Sequence, residues 1–169
     1  MKKFIVAVAL ILTIPALALA QEERYQNRAQ GYAFLGGGGI FESGATYGVY
    51  HLGIGGDWRI YKGLGVESEL GGMGRFSSGV GLFSLGPTYQ FLRRSSESKL
   101  VPFVDGGYTL GFAGGATPGN TNNLINFGAG FNYWFHKRVG LRLDFKDYLH
   151  HRYSDTANYP AVRIGLVFR

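Results

Sequence analysis

The chain has 169 residues, no cysteine, 28 glycines and 15% aromatic residues, with 17 Lys and Arg against 11 Asp and Glu for a formal charge of +6. A length of this order suits one domain; the lack of cysteine excludes a disulfide framework and a lipoprotein anchor, and the aromatic content excludes a disordered chain. The basic residues are scattered singly or in pairs, which excludes a nucleic-acid stripe and leaves nucleic acid out of the expected partners.

Residues 1–20 read as a signal peptide. Lys2 and Lys3 precede an apolar run from Phe4 to Ile14, and Ala18-Leu19-Ala20 forms a small-residue cleavage pattern before the polar Gln21-Glu22-Glu23. Pro15 breaks the run and no stop-transfer flank follows, which disfavours the competing reading of a single membrane anchor. Export is expected, with cleavage after Ala20 and a short periplasmic leader over 21–30. The remaining residues, 31–169, are expected to form one all-β domain. Small exported domains usually rely on disulfides, and a bilayer is the alternative source of stability.

From residue 31 onward apolar residues alternate with polar or small ones at period two, and no segment sustains a helical spacing. Strands are expected over 31–38, 51–61, 64–72, 80–92, 100–112, 124–135, 139–148 and 160–169. In the second, Leu52, Ile54, Trp58 and Ile60 alternate with Gly53, Gly55, Asp57 and Arg59. In the sixth, Ile125, Phe127, Ala129, Phe131, Tyr133 and Phe135 share one parity, and in the seventh Val139, Leu141, Leu143 and Phe145 do so. Eight strands close a small barrel, and strands of about ten residues cross a bilayer when tilted. The connections at 61–63, 93–99 and 136–138 are short, whereas those at 39–50, 73–79, 113–123 and 149–159 are mostly longer. That asymmetry belongs to membrane barrels, whose short turns are periplasmic. Trp58, Tyr61, Tyr89, Phe91, Tyr133, Phe135 and Phe168 gather at the short-turn ends, where aromatic rings favour a lipid boundary.

A soluble lipocalin-like barrel has the same alternation with its apolar face inward, so the charges decide. Asp57, Arg59, Glu67, Glu69, Asp105, Arg142, Asp144, Lys146 and Arg163 all fall on the parity opposite the large apolar residues. A basic side chain on the lipid face costs about 2–4 kcal/mol at the midplane, so this segregation points to lipid outside. The expected fold is an all-β, eight-stranded antiparallel up-and-down transmembrane β-barrel. Its nine charges form an interior network in which Arg142 or Lys146 reaches Glu67 or Glu69 across the lumen and closes it.

No catalytic, cofactor or metal site is expected. The glycines at 36–39 and 51–56 do not open a helix after a parallel strand, as a phosphate cradle requires. His150-His151-Arg152-Tyr153-Ser154-Asp155, expected in a solvated loop, tempts a comparison with outer-membrane lipid A deacylases, which place His and Ser two apart on one strand face. His151 and Ser154 are three apart and face opposite ways in an extended chain. A metal centre from His51, His150, His151 and Asp155 lacks any known ligand spacing.

Across 31–169 the pattern resembles the small outer-membrane barrels of the OmpA and OmpX type. The most specific piece is the last strand, where Val162, Ile164, Leu166 and Phe168 look like the C-terminal signal read by that family's barrel assembly machinery. Arg169 follows the Phe that is usually terminal in the family, and a cell-wall-binding domain after the barrel is not expected. The resemblance implies an outer-membrane location, a filled interior, and lipid, lipopolysaccharide and the assembly machinery as partners of a monomer. A structural or surface-interaction role is the favoured function, with a lipid-modifying enzyme and a narrow channel as the alternatives.

Overall fold

A computed structural model describes residues 29–42, 45–75, 78–92, 99–113, 121–152 and 155–169. The signal peptide expected over 1–20 lies outside the described residues. The described part is built of β1 (Ala29–Glu42), β2 (Ala45–Tyr61), β3 (Leu64–Arg75), β4 (Ser78–Gln90), β5 (Leu100–Ala113), β6 (Thr121–Tyr133), β7 (Val139–Arg152), β8 (Asp155–Asn158) and β9 (Ala161–Phe168).

Each strand from β1 to β7 pairs antiparallel with the next. β8 and β9 form one stave, because both pair with β7 in a single register, Leu149 facing Asn158 and Lys146 facing Ala161. The break falls at Tyr159-Pro160. Tyr159 still exchanges backbone hydrogen bonds with Tyr148, at 3.0 and 3.4 Å, whereas Pro160 has no N–H to give. β1 and β9 then close the sheet, from Gly31 facing Phe168 to Gly38 facing Ala161. The result is a closed, eight-staved antiparallel barrel.

Its shear follows from the register. Stepping across the ladders from Gly31 leads through Gly56, Ser68, Leu85, Tyr108, Ile125, Leu149 and Asn158 to Phe41, an offset of ten residues along β1. On eight staves that corresponds to a strand tilt of about 40°. The tight turn expected after β2 is present. Lys62 and Gly63 both take positive φ, 40° and 88°, as a two-residue hairpin requires, and a Cβ on Gly63 would lie 2.3 Å from the Gln90 carbonyl oxygen.

Strand lengths correct the sequence reading. Ala29 and Gln30, expected in the leader, open β1. The connections expected at 39–50 and 149–159 are largely ladder, since β1 runs to Glu42, β2 begins at Ala45, and β7 and β8 extend to Arg152 and from Asp155. His150, His151, Arg152 and Asp155 therefore belong to a strand pair rather than a loop, while Tyr153 and Ser154 lie outside the described residues. Glycines and short polar residues have weak strand preference alone, and pairing with a neighbouring stave overrides it.

The outer wall is apolar. Ile60, Trp58, Leu35 and Ile125 are 67%, 66%, 65% and 64% exposed, while Arg142, Lys146 and Arg163 are each 1% exposed inside. Aromatic side chains crowd both rims, with Trp58, Tyr61, Phe91, Tyr133, Phe135 and Phe168 at the turn end and Phe41, Tyr50 and Phe112 at the other. Inside, two apolar clusters stand apart. Tyr32, Phe34, Leu92, Val101, Trp134 and Val167 fill the turn side. Val49, Met73, Leu82, Leu124 and Tyr148, flanked by Ile40, Val80 and Tyr159, fill the loop side.

Candidate functional site

Between those clusters lies a charged layer. β2 contributes Asp57, β3 Glu67 and Glu69, β5 Asp105, β7 Arg142, Asp144 and Lys146, and β9 Arg163, all pointing inward because each stave sends every second side chain to the lumen. Arg142 reaches Glu67 at 3.0 Å, Asp57 at 3.3 Å and Asp144 at 2.9 Å. Lys146 binds Glu67, Asp105 at 3.1 Å and Glu69 at 3.5 Å. Arg163 binds Glu69 at 2.8 Å and, through its Nε, Asp144. Arg59, the ninth inward charge, is also buried.

Uncharged groups complete the layer. Asp57 accepts from Gln30, and from Gln90 at 3.4 Å. Tyr32 and Tyr148, one from each apolar cluster, both donate to Glu69 at 3.1 Å. The guanidinium of Arg142 lies over the rings of Tyr32 and Phe103, 4.0 and 3.9 Å from their centroids, and that of Arg163 lies 4.2 Å from Phe34. Desolvated cation–π contacts of this kind contribute about 2 kcal/mol or more. Room for the rings comes from glycine: a Cβ on Gly55 would meet the Tyr32 ring at 2.4 Å, and one on Gly53 the Phe34 ring at 2.7 Å. A separate polar chain joins Ser84 to Thr109 at 2.8 Å and Asn126 to Thr109 at 2.7 Å.

The ion pairs of Arg142 with Asp57 and Glu67, of Lys146 with Glu67, Glu69 and Asp105, and of Arg163 with Glu69 connect staves that are not neighbours in the sheet. Such an arrangement fills and braces the lumen; it presents no pairing of nucleophile and base. Of the histidines considered for a metal, His51 and His150 do not converge. His51 is buried between Phe34 and Tyr148, whose ring centroids are 5.1 and 5.5 Å away, and neither ring nitrogen has a hydrogen-bond partner. His150 is at the loop end, with Nδ1 3.2 Å from the Asn123 carbonyl oxygen. The side chains of His151 and Asp155 lie outside the described residues. Val162, Ile164, Leu166 and Phe168 line the outer wall of β9, exposed by 44–58%.

The sequence reading missed the inward aromatics Tyr32, Phe34, Phe103 and Tyr148; it set Trp134 on the parity opposite the apolar face of the sixth strand, and it weighed His51 only as a metal ligand. Counting by twos finds several of them: from Arg59 and Asp57 back to His51, from Lys146 on to Tyr148, and from Asp105 back to Phe103. It also passed over Asp147, a carboxylate on the lipid-facing parity of β7. Asp147 is only 8% exposed and sits against the backbone amides of Tyr148 and Tyr159, beside the proline break.

No family model and no curated protein matches this chain. Solved structures with the same architecture do. Neisserial surface protein A superposes with a TM-score of 0.68 at 16% identity, covering 84% of this chain and 97% of its own. The N-terminal β-barrel domain of Pseudomonas aeruginosa OprF gives 0.59 at 16% identity, covering 86% and 100%. Ail of Yersinia pestis gives 0.53 at 11% identity, covering 83% and 97%. Identities this low speak to fold alone, and the fold is that of the small eight-stranded outer-membrane β-barrels of the OmpA and OmpX type.

Proposed function

We propose that this protein is an integral outer-membrane barrel whose lumen is permanently filled, serving envelope integrity or surface interaction rather than catalysis or solute passage. The observation that carries this reading is the three-tiered interior, in which two apolar clusters enclose a charged layer whose ion pairs connect β2, β3, β5, β7 and β9. A diffusion channel needs a continuous wetted path, and apolar constrictions oppose one by dewetting. The outward apolar wall with aromatic rims supports residence in a bilayer, with lipid and lipopolysaccharide as neighbours of a monomeric barrel. The outward face of β9 supports recognition of its last strand by the assembly machinery.

Outer-membrane fractionation with heat-modifiable gel mobility tests location and fold together, and planar-bilayer recording tests the filled lumen. Recovery in the outer membrane, a mobility shift on boiling and the absence of steady conductance are expected. A large, stable open-channel current in the wild type would overturn the filled interior and favour a channel.

A further inference from the structure

We propose that the turn end carries a site for the headgroup of an anionic phospholipid, built by Lys99, Lys137, Arg138 and Arg169 around Trp134. The inference rests on the membrane reading above and adds a lipid class to it. Three stretches of chain are fastened together there. The Trp134 N–H donates to the Lys99 carbonyl at 2.7 Å, the Arg169 N–H to the Arg138 carbonyl at 3.1 Å, and the Arg169 Nε to the Lys137 carbonyl at 2.9 Å. The Arg169 guanidinium stacks over Trp134, 4.2 Å from a ring centroid.

This backbone lacing holds four cations on one side of the rim, over the ends of β5, β6, β7 and β9. Lys99, Lys137 and Arg138 are exposed and make no ion pair among the described residues. The described residues of the turns, at 61–63, 91–92, 99 and 134–138, include no carboxylate side chain. The apolar cluster containing Trp134 separates these cations from the acids of the interior.

Depth selects the partner. Leu100, Phe135 and Phe168 each stand within two residues of one of these cations, Tyr133 faces Leu100 in the ladder, and all four point outward with 42–55% exposure. Aromatic residues at a barrel rim mark the lipid–water boundary, so the cations sit at the level of lipid phosphates. Each Lys or Arg near an anionic surface attracts it by about 1 kcal/mol, and four together favour an anionic over a zwitterionic headgroup. Lys62, on the β2–β3 turn, lies with its Nζ 5.1 Å from the Tyr61 centroid and does not share the lacing, which makes it an internal control.

The test is electron spin resonance of the full barrel in phosphatidylcholine vesicles, comparing the motionally restricted fraction of spin-labelled phosphatidylglycerol with that of spin-labelled phosphatidylcholine. One strong site averaged over the lipid shell gives a preference for phosphatidylglycerol on the order of threefold. The K99Q/K137Q/R138Q variant is expected to bring the ratio close to unity with heat-modifiable mobility intact, and K62Q to leave most of it. Equal restriction of both lipids by the wild type overturns the site and leaves these cations to a water-borne acidic partner. Selectivity that survives the triple variant, or that inorganic phosphate abolishes at the ionic strength of a sulfate-free chloride control, also overturns it. Failure to restrict any lipid would overturn the membrane reading itself, and the site with it.

Discussion

Arg142 and Glu67 meet at 3.0 Å although they stand on β7 and β3, four staves apart whichever way the barrel is circled. The pair spans the diameter of the lumen, and its surroundings make its two ends unequal. Arg142 is shared by three carboxylates, Asp57, Glu67 and Asp144, whereas Glu67 is held by two bases, Arg142 and Lys146. Loss of Glu67 leaves Arg142 with Asp57 and Asp144, and Lys146 with Asp105 and Glu69. Loss of Arg142 takes a cation from three acids at once: Glu67 keeps Lys146 and Asp144 keeps Arg163, but Asp57 is left with Gln30 and Gln90 as its partners in the contacts described above. Arg142→Met is therefore expected to destabilise by about 3–5 kcal/mol, Glu67→Gln by clearly less, and the double variant by less than the sum. Urea midpoints of the vesicle-inserted barrel measure all three, and a costlier Glu67→Gln would contradict this inequality between the two partners.

The apolar tiers predict where the lumen is sealed. A charge-layer variant such as Glu67→Gln is expected to stay non-conducting, because apolar clusters still close the interior on both sides. Current is expected only when both tiers are opened, for example with Phe34 and Val101 changed to Ser on the turn side and Met73 and Leu124 on the loop side. Single-channel recording distinguishes the cases; conductance from the charge variant alone would place the seal in the ion pairs.

Placement of new charges gives a third expectation, in which sign matters as well as face. Leu143 pairs with Phe131 on the outer wall, and Leu143→Arg is expected to cost about 2–4 kcal/mol near the midplane. Asn132 is wholly buried beside Arg142 in the ladder, with neither amide atom hydrogen-bonded. Asn132→Asp meets a cation there and is expected to be tolerated, whereas Asn132→Lys is not. Folded yield in vesicles reads the difference, and indifference at Leu143 would remove lipid from that wall.

Gly55 tests the packing beneath Tyr32. A methyl group there collides with the ring that lies under the Arg142 guanidinium, so Gly55→Ala is expected to destabilise by about 1–3 kcal/mol. Gly48→Ala has open space and is expected to change little. The two midpoints, taken side by side, separate a steric effect from the general preference of strands for residues other than glycine.

Much of this interior was legible before any coordinates, because a strand with lipid on one face and protein on the other must alternate with period two. Parity alone assigned Asp57, Arg59, Glu67, Glu69, Asp105, Arg142, Asp144, Lys146 and Arg163 to one side. The pairing of particular acids with particular bases was less accessible, since it depends on a shear accumulated over eight ladders. The idea that Arg142 or Lys146 reaches Glu67 or Glu69 came from barrel width and left the partners open. Strand ends were misjudged where glycines dominate, at Gly36 to Gly39 and around Gly48, because local preference there argues for loop while the neighbouring stave supplies the hydrogen bonds. The inward rings of Tyr32, Phe34, Phe103 and Tyr148 escaped notice because aromatic residues were credited to the lipid face, and His51 was weighed only as a metal ligand.

The ladder between Gly31 and Phe168 has a kinetic meaning. It joins positions nearly the whole described chain apart, and Arg163 on the closing stave is the partner of Glu69 and Asp144. Until that ladder forms, the sheet is open, its edges unpaired and part of its carboxylates without cations. The entropy of bringing the ends together is met before those contacts can repay it, so contact order is high and assembly unassisted by a template is slow. Once shut, the same topology works in reverse: no single stave can leave without breaking a ladder on each side and uncovering buried charge, which makes the folded barrel long-lived by rate as well as by equilibrium.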